Sequence, residues 1–521
     1  MAYSQDWLED PSAIRGIFAE VVVYDVVGAT NTTLYLSTLG YVTTDASISY
    51  NPIIVGGIKF TETLGIDGQA SLSFGDVELS NVTGELDSWL DPTKYIWSNR
   101  SIKIYLGDPT WVCADISAIH TDFELVFDGV VNDIDSKSVT RLNLKIRDKL
   151  EQLNTTLTES KIGTYGTWAG GQTNQDNIIP LVFGEVFNIS PILLDPALLE
   201  YSFNNGNSEL LIELRDNGVP IYNSSTPGGA VVNHATGKFT LTKKLAGVLT
   251  ASVQGIKNSI NLATGALVSG TYVNNIANLI ALIVTQYGKA STRFTASDLD
   301  LTNLTSFAAN TQSVGLYISD KSNTLVACQQ LAASIGAQLF VTRKGKLQIL
   351  RIGVPTSVPS VDITTSDIIL NSLSISSRTP VRASTKIGYC RNYTSQDNLL
   401  TSIPDQHKEL FKVGDSDQIT KTTLDSTVQT NYKLEADPEQ KDTLLIVGSE
   451  AQTEATRLNN YYKVPRTVYR FVGTSKLLSL QLGQPINLIY PRFGLDGGIS
   501  GQVISLSPSW GTSTIEVEVI V

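Results

Sequence analysis

Residues 58–90 read IKFTETLGIDGQASLSFGDVELSNVTGELDSWL, and this stretch, with its continuation to Leu150, decides the fold. On both sides of the step Gly75-Asp76, apolar residues alternate with polar ones: Ala70, Leu72, Phe74, Val77 and Leu79. An alternation with period two is typical of half-buried β-strands. The phase slips by one residue at Gly75-Asp76, which predicts a bulge or a tight turn there.

The same alternation returns three times between residues 100 and 147. It occurs at Ile102, Ile104, Leu106, Phe123, Leu125, Phe127, Leu142, Leu144 and Ile146. The step Gly107-Asp108 supplies a turn after the first of these strands. The pattern by itself predicts an antiparallel sheet or barrel without an activity of its own, because a fold does not imply a function.

Length and composition indicate a globular protein of several domains. The chain has 521 residues, so we expect three or four domains, and 42% of its residues are hydrophobic. Charged residues are sparse at 17%, and the formal net charge is −12. Non-specific binding to nucleic acid needs a basic surface, so this acidic balance argues against it.

The three cysteines, Cys113, Cys328 and Cys390, lie far apart and form no C-x-x-C motif. A disulfide framework or a structural zinc site needs paired or clustered cysteines. We therefore expect buried free thiols. No calcium loop of the D-x-[DN]-x-[DN]-G type occurs either, so the sequence predicts no metal and no cofactor.

The N-terminal stretch MAYSQDWLEDPSAIRGIFAEVVVYDVV lacks the basic start and continuous apolar core of a signal peptide. Nowhere does the sequence approach the roughly 20 consecutive apolar residues of a membrane span. We expect a soluble protein made in a cytoplasm, with no membrane segment.

Residues 1–157 are predicted to form one β-rich domain. A short helix at Ser4–Leu8 precedes its strands, and one helical turn at Asp148–Leu153 closes it. Residues 158–178 are polar and rich in glycine, which is typical of a linker or an exposed loop.

Residues 179–262 are predicted to form a small β-domain. It contains a strand at Leu210–Arg215, a turn at Asn217-Gly218 and a hairpin that ends near Gly255.

Residues 263–370 change to an α+β pattern. Apolar residues at Val273–Tyr287 follow the i, i+3, i+4, i+7 spacing of a helix, with Gly288 as its stop. A second helix is predicted at Ser322–Ile335 with Ser322 as its N-cap, followed by a hairpin that turns at Lys344-Gly345.

Residues 371–521 are predicted to form a C-terminal β-rich region with one helix at Ser449–Tyr462. The segment 403–430 lacks periodicity and is interpreted as loop. An alternative boundary continues the domain at 263–370 into 450–521.

None of the three histidines, His120, His234 and His407, has a second histidine at i+4. A triad assembled in space stays open, because spacing does not exclude it. The sequence GGISG at 497–501 resembles a nucleophile elbow around Ser500, but Gln502 stands where the second glycine belongs. We interpret it as a hairpin turn. No phosphate-binding glycine loop follows a strand.

Glu85 and Asp87, beside Trp89, are the acidic pair that could be proposed for glycoside hydrolysis. We interpret them as loop acids. Trp89, Trp97 and Trp111 are interpreted as core or subunit-interface residues rather than a sugar platform. The sequence therefore predicts no catalytic, cofactor-binding or metal-binding residue, and no enzyme activity.

The order GIDGQASLSFGDVELSN, GELDSWLDPTKYIWSNRSIKIYLGDPTW and FDGVV resembles the N-terminal part of bacteriophage tail baseplate (tail-tip) hub proteins. Three later stretches are similar to the same family: IPLVFGEVFNISPILLD, GAQLFVTRKGKLQILR, and GQPINLIYPRFGLDGG followed by GQVISLSPSW. The likeness covers most of the chain. It is strongest at 58–157, 179–262, 318–352 and 480–510, and weakest at 355–450.

The resemblance implies a mainly β, multidomain fold with minor α+β. It implies two tube-like β-barrel or sandwich domains, at 1–157 and 263–370, plus two smaller domains. It implies a homotrimer whose six similar barrels cap a six-fold tail tube and join it to a three-fold central fibre or spike. A channel for DNA ejection would remain, through which DNA passes without specific binding. The implied partners are the tail tube or distal tail protein, the central fibre or spike protein, and the tape measure protein. The implied place is the tip of the virion tail, with a long non-contractile tail favoured, after synthesis in the host cytoplasm.

Two other classes remain as alternatives. One is a tail-associated enzyme that degrades cell wall or polysaccharide, which would need a catalytic signature in a compact domain. The other is a receptor-binding tail protein, for which collagen-like or coiled-coil stalks would be typical. Neither signature occurs in the sequence.

A ring of three chains of charge −12 would carry a formal charge of −36. Lys or Arg lining its bore would bind phosphates and slow the passage of DNA. The residues facing the bore are therefore predicted to be net acidic.

Overall fold

The computed structural model describes residues 3–10, 12–56, 58–65, 73–163, 174–353, 358–394, 401, 418–435 and 437–521. Within these ranges the protein is mainly β with several sheets and short helices, which confirms the predicted fold class.

The strands of the N-terminal third, in chain order, are β1 Gly16–Asp25, β2 Thr30–Ser37, β3 Tyr41–Val42, β4 Ser49–Tyr50, β5 Lys59–Thr63, β6 Phe74–Ser80, β7 Tyr95–Ile96, β8 Arg100–Gly107, β9 Glu124–Ser138 and β10 Arg141–Arg147. Those of the middle are β11 Leu181–Ile189, β12 Ile192–Asp195, β13 Glu200–Ser202, β14 Ser208–Asp216, β15 Val219–Asn223, β16 Ala230–Asn233, β17 Lys238–Leu241, β18 Leu249–Ile256, β19 Asn258–Ile260, β20 Leu267–Ser269, β21 Gly315–Ile318, β22 Ala337–Val341 and β23 Leu347–Arg351. Those of the C-terminal part are β24 Val361–Ile363, β25 Ser374–Arg378, β26 Ser384–Tyr389, β27 Ile419–Leu424, β28 Gln440–Asp442, β29 Thr467–Gly473, β30 Pro485–Leu488, β31 Ile499–Ser509 and β32 Thr514–Ile520.

The α-helices are α1 Gln5–Glu9, α2 Ile116–Asp122, α3 Ile276–Gln286, α4 Leu301–Phe307, α5 Thr324–Ala333, α6 Ser426–Tyr432 and α7 Gly448–Tyr462. Short 3₁₀ turns occur at Asp87–Leu90, Lys149–Leu153, Ala290–Thr292, Ala296–Asp298 and Ser475–Ser479.

Both ends of the chain contribute to one large sheet. Its main path runs β2-β1-β8-β9-β10-β6-β5-β31-β32-β29-β25, with β7, β24 and β30 attached beside it. Each pairing along this path is antiparallel, and the path passes from N-terminal to C-terminal strands at the β5–β31 pair. The division into domains at 157, 179, 263 and 371 stays a prediction.

Period-two alternation explains these strands. In β1, Ile17, Ala19, Val21 and Val23 are buried in the main core, while Phe18 is buried on the opposite face, in an aromatic cluster with Trp111 and Phe123. Each face of this part of the sheet is therefore covered, at least near the start of β1.

The predicted bulge or tight turn at Gly75-Asp76 is wrong. β6 runs through this step, and its register with β10 and β5 shows no shift. Val77 and Leu79 are buried as expected, but Phe74 lies on the other face and is 66% exposed. Ala70 and Leu72 lie outside the described residues. The turn at Gly107-Asp108 is confirmed, since β8 ends at Gly107 and Asp108 accepts hydrogen bonds from Thr110.

The small region after residue 178 has its own core, with Phe203, Leu211 and Phe239 at its centre. The predicted strand at Leu210–Arg215 and the Asn217-Gly218 turn are confirmed. The predicted hairpin ending near Gly255 is wrong, because β17 belongs to the sheet β12-β13-β17-β16 and β18 to the sheet β15-β14-β18-β11-β21. Part of the predicted loop at 158–178, residues 164–173, lies outside the described residues.

The predicted helices are present with small corrections. Helix α3 ends before Gly288, which has φ of +77°, and α7 covers the predicted Ser449–Tyr462. Asn323, rather than Ser322, caps α5, because its side chain accepts from the Val326 N–H.

The segment 403–430 is not all loop. Its first part, to residue 417, lies outside the described residues. The remainder forms β27 and the start of α6, which is capped by Asp425.

Candidate functional site

The large sheet has an N-terminal half, from β2 to β5 along its main path, and a C-terminal half, from β31 to β25. The junction between these halves is formed around the hairpin β22–β23, which we call the clasp hairpin. Its strands are buried at Leu339 and Ile349, whereas its tip, residues 342–346, reads TRKGK. The Thr342 N–H donates to the Lys346 carbonyl at 2.8 Å, and the Gly345 N–H donates to the Thr342 carbonyl at 2.8 Å. The tip of this short hairpin thus contains three cationic residues, Arg343, Lys344 and Lys346.

The tip lies directly against β9. The Asp128 N–H donates to the Arg343 carbonyl at 2.7 Å. Gly345 has φ of +73°, and a Cβ there would lie 2.8 Å from Asp128 Oδ2. Glycine is therefore needed both for the left-handed backbone and for the close approach.

Arg343 forms the centre of the junction. Its Nε lies 3.1 Å from Glu62 Oε2, and both side chains are almost fully buried. Its two Nη atoms donate to the carbonyls of Leu478 and Leu480, on the C-terminal side. Burial raises the pKa of Glu62 to about 7, although Arg343 acts in the opposite direction.

Further polar contacts fix the hairpin on the N-terminal side. Gln338, which is 1% exposed, accepts from the Gly65 N–H at 2.9 Å and donates to the Gly65 carbonyl. Lys344 pairs with Glu124, and Lys346 donates to the Ser297 carbonyl.

Asp128 also belongs to a second cluster of ion pairs. The Lys149 ammonium lies 2.7 Å from Asp128 Oδ2 and 3.1 Å from Asp298 Oδ1. All three side chains are at most 19% exposed, and Lys149 follows the helix cap Asp148. The predicted helical turn at 148–153 therefore positions this lysine.

The β5–β31 pair, which we call the seam, is lined by hydroxyl groups on one face. Thr61 Oγ1 lies 2.9 Å from Ser507 Oγ, and Thr63 Oγ1 lies 3.2 Å from Ser505 Oγ. On the other face Glu62 is opposite Leu506 and pairs with Arg343. The seam is thus held by polar contacts from both sides.

A cavity of about 420 Å³ lies beside the tip of the clasp hairpin. Its walls include Leu8, Leu106, Phe340 and Trp510, together with Glu62 and Arg343. In this part of the described structure the cations face carboxylates or carbonyls, and no hydroxyl or thiol stands next to a histidine. The arrangement holds chain segments together.

The histidines lie in separate places. His120 Nε2 lies 2.8 Å from Glu20 Oε1 and its ring stacks on Tyr105. His234 Nδ1 lies 3.4 Å from Ser208 Oγ, but this serine is 1% exposed and also lies 3.2 Å from the His234 carbonyl. His407 lies outside the described residues.

Glu85 lies in the turn that precedes the 3₁₀ turn Asp87–Leu90, which Asp87 begins. Asp87 accepts from Asn81 at 2.7 Å, which fixes the loop, and Glu85 is exposed. Trp97 donates to the Trp89 carbonyl at 2.9 Å, so their contact is internal. Trp111 packs in the aromatic cluster around Phe123.

Ser500 lies within β31, paired with Asn487 of β30, and Gly498 has φ of +77° just before the strand. The sequence GGISG is therefore part of a hairpin, as predicted.

Cys113, Cys328 and Cys390 are free and buried, as predicted. Among the residues that the structure describes, no group of three or more His, Cys, Asp or Glu is placed to hold a metal ion. Within the same ranges, no helix has the length and apolar run needed to cross a membrane.

The junction was not predicted from the sequence, although one signal for it was present. Phe60, Glu62 and Leu64 alternate toward the core, so Glu62 is an acid at an inward position. A buried carboxylate needs a partner, but the sequence does not identify Arg343 as that partner.

No family model matches the chain, and no curated protein matches it. Three solved structures are similar to it in part. The 43 kDa tail protein of prophage MuSo2 from Shewanella oneidensis is 11% identical, with 96% of this chain and 98% of that chain covered and a TM-score of 0.39. A prophage tail protein from Listeria monocytogenes EGD-e is 8% identical, with 96% and 94% covered and a TM-score of 0.38. A chain of the virion of a native gene transfer agent particle is 12% identical, with 71% and 91% covered and a TM-score of 0.42.

Proposed function

We propose that this protein is a structural hub of a bacteriophage tail tip. As a homotrimer it would join the six-fold tail tube to the three-fold central fibre or spike and leave a channel for DNA ejection. Its partners would be the tail tube or distal tail protein, the fibre or spike protein and the tape measure protein, in the virion.

The proposal is supported by the positions of the stretches that resemble tail hub proteins, because three of them meet at one place in the fold. Residues 58–157 supply Glu62 and Asp128, residues 318–352 supply the clasp hairpin, and residues 480–510 supply β31. Three stretches that resemble tail hub proteins thus build one junction. The resemblance therefore covers the framework of the fold rather than scattered surface segments.

The fold joins distant parts of the chain, as a structural role requires. The large sheet contains strands from both the N-terminal third and the C-terminal part of the chain. Buried ion pairs at Glu62 and Glu454 fix the hairpin and α7 in one geometry, since an unpaired buried charge is costly.

We also propose that the bore of the trimer is net acidic. The chain carries a net charge of −12, and an acidic wall would repel DNA over a Debye length of about 8 Å at physiological salt. An image of the assembled ring with a net positive bore would contradict this.

Copy number tests the main proposal. Mass measurement of purified tail tips should give three copies of this chain, and an antibody against it should label the tip of the virion tail in electron micrographs. One or six copies, or labelling elsewhere on the virion, would rule the hub assignment out.

The alternative is an enzyme that degrades cell wall or polysaccharide, and the exposed acid Glu85 provides its test. We expect the purified protein to release no fragments from peptidoglycan or capsule above background. Release that is lost in the variant Glu85→Gln but kept in Glu159→Gln, another exposed acid, would favour the enzyme.

A further inference from the structure

We infer that the large sheet can open locally at the seam between β5 and β31, and that the clasp hairpin keeps the seam closed. The two halves can separate there reversibly, without the rest of the sheet unfolding. The opening is a property of the isolated chain, whether or not the chain is part of a tail.

The seam is among the shorter pairings of the sheet. Three residue pairs align β5 with β31, as many as align β5 with β6, whereas eight align β1 with β2 and seven align β31 with β32. The Leu64 N–H also donates to the Ile504 carbonyl across the seam at 2.8 Å. Its outer face carries the hydroxyl pairs Thr61–Ser507 and Thr63–Ser505 instead of apolar contacts. Hydroxyl groups can exchange such bonds for bonds to water at little net cost, so this pairing is easy to reverse.

The clasp hairpin bridges the seam. On the N-terminal side it contacts Glu62, Gly65 and Asp128, and on the C-terminal side Arg343 donates to the carbonyls of Leu478 and Leu480. Arg343 is therefore bonded to both halves at once. If it leaves, Glu62 remains buried without its counter-ion, so closure of the seam depends on this side chain.

The geometry around the tip allows it to move. The contacts of residues 342–346 described above are hydrogen bonds and ion pairs, while the apolar residues of the hairpin, such as Leu339, lie further back in its strands. The cavity of about 420 Å³ borders Thr342, Arg343 and Lys344. The tip can shift into this space while the strands behind it stay packed.

Each half also keeps packing of its own when the seam opens. The N-terminal half retains Phe60 against Phe127, with ring centroids 4.5 Å apart, and the aromatic cluster around Phe18. The C-terminal half retains the β31–β32–β29 pairings. Thr63 and Ser505 are 442 residues apart, so no short connection ties the two edges together.

Hydrogen exchange on the purified full-length chain tests the inference. In the wild type, the amides of residues 60–64 and 503–507 should exchange faster than those of β1 and β8, because local opening requires less free energy than global unfolding. In Arg343→Gln their exchange should rise roughly 10- to 100-fold, with β1 and β8 unchanged. The matched control is Arg141→Gln, which removes an ion pair to Glu78 on the surface of the same sheet and should leave the seam unchanged.

A disulfide provides the second arm, which remains informative if Arg343→Gln does not fold. The double variant Thr61→Cys and Ser507→Cys should form a disulfide that slows exchange at the seam and reverses with dithiothreitol. The control pair Val22→Cys and Thr33→Cys joins β1 to β2, which are register partners, and should not affect the seam. Seam amides that exchange no faster than those of β1 in the wild type, or that do not respond to the disulfide, would overturn the inference.

Discussion

Replacing Glu62 by glutamine should change how stability depends on pH. Burial raises the pKa of Glu62 in the fold to about 7, compared with an ordinary value of 4.5. Below about pH 4.5 the side chain is protonated in both the folded and the unfolded chain. As the pH rises toward 7, the unfolded chain loses the proton first, so the folded state loses stability.

The size of the effect follows from the difference in pKa. One pKa unit corresponds to about 1.4 kcal/mol, so the wild type should lose roughly 3 kcal/mol relative to Glu62→Gln between pH 4.5 and 7. The variant lacks this proton, and its other titrating groups are the same as those of the wild type. The difference between the two proteins therefore isolates Glu62.

The assay is urea unfolding at several pH values, read out by hydrogen exchange of the β5 amides, so that the transition is the one that exposes Glu62. The ¹³C resonance of its carboxyl group, assigned by its loss in Glu62→Gln, gives the pKa directly. A stability difference that stays constant with pH, or that shrinks as the pH rises, would contradict a raised pKa of Glu62. It would mean that Arg343 keeps Glu62 ionised throughout.

Three other predictions concern a buried ion pair, two glycines with positive φ and two buried thiols. Glu454→Ala leaves Arg351 and Arg457 without their buried counter-ion and should lower the free energy of unfolding in urea by about 3–5 kcal/mol. The control Asp437→Ala removes an exposed partner of Lys386 and should lower it by at most about 1 kcal/mol, so equal losses would contradict the prediction. Gly494→Ala should cost about 1–2 kcal/mol because φ is +74° in open space, and Gly345→Ala should cost more because its Cβ would also meet Asp128; the reverse order of melting temperatures would be evidence against the contact. Cys328 and Cys390 should not react with a thiol reagent in the native protein, since both are buried and burial raises the pKa of Cys390 to about 11; rapid labelling without denaturant would disprove it.

Local patterns in the sequence identify most strands and the long helices. The alternation of Leu142, Leu144 and Ile146 places β10, and the apolar face of Ala451, Ala455 and Leu458 places α7. These signals are strong because side chains return to the same face every 2 residues in a strand and every 3.6 residues in a helix. The position of a residue in the sequence therefore determines whether it faces the core.

Pairings between distant segments could not be predicted in this way. β17 and β18 are neighbours in sequence and look like one hairpin, yet they belong to different sheets. Phe74 continues an apparent alternation but faces outward, because the register is set by β5 and β10 rather than by its own neighbours in sequence.

For the same reason, the sequence identifies only one of the two partners at the centre of the candidate site. Glu62 stands out as an acid between the inward residues Phe60 and Leu64, but its partner Arg343 sits in a hairpin tip rich in Lys and Gly. Such a tip looks like an ordinary solvated turn. Its insertion depends on Asp128 and on the absence of a side chain at Gly345, which only the assembled fold reveals.

The strand order also has a consequence for biosynthesis. β5 cannot pair with β31 until the ribosome has added the 442 residues that separate Thr63 from Ser505. At a translation rate of about 5–20 residues per second, this delay is roughly 20–90 s. During that time the nascent chain exposes an unpaired strand edge, which is a known route to aggregation. We therefore expect yields to improve at low temperature or with chaperones that shield nascent chains, and C-terminal truncations before β31 to be recovered mainly as insoluble protein.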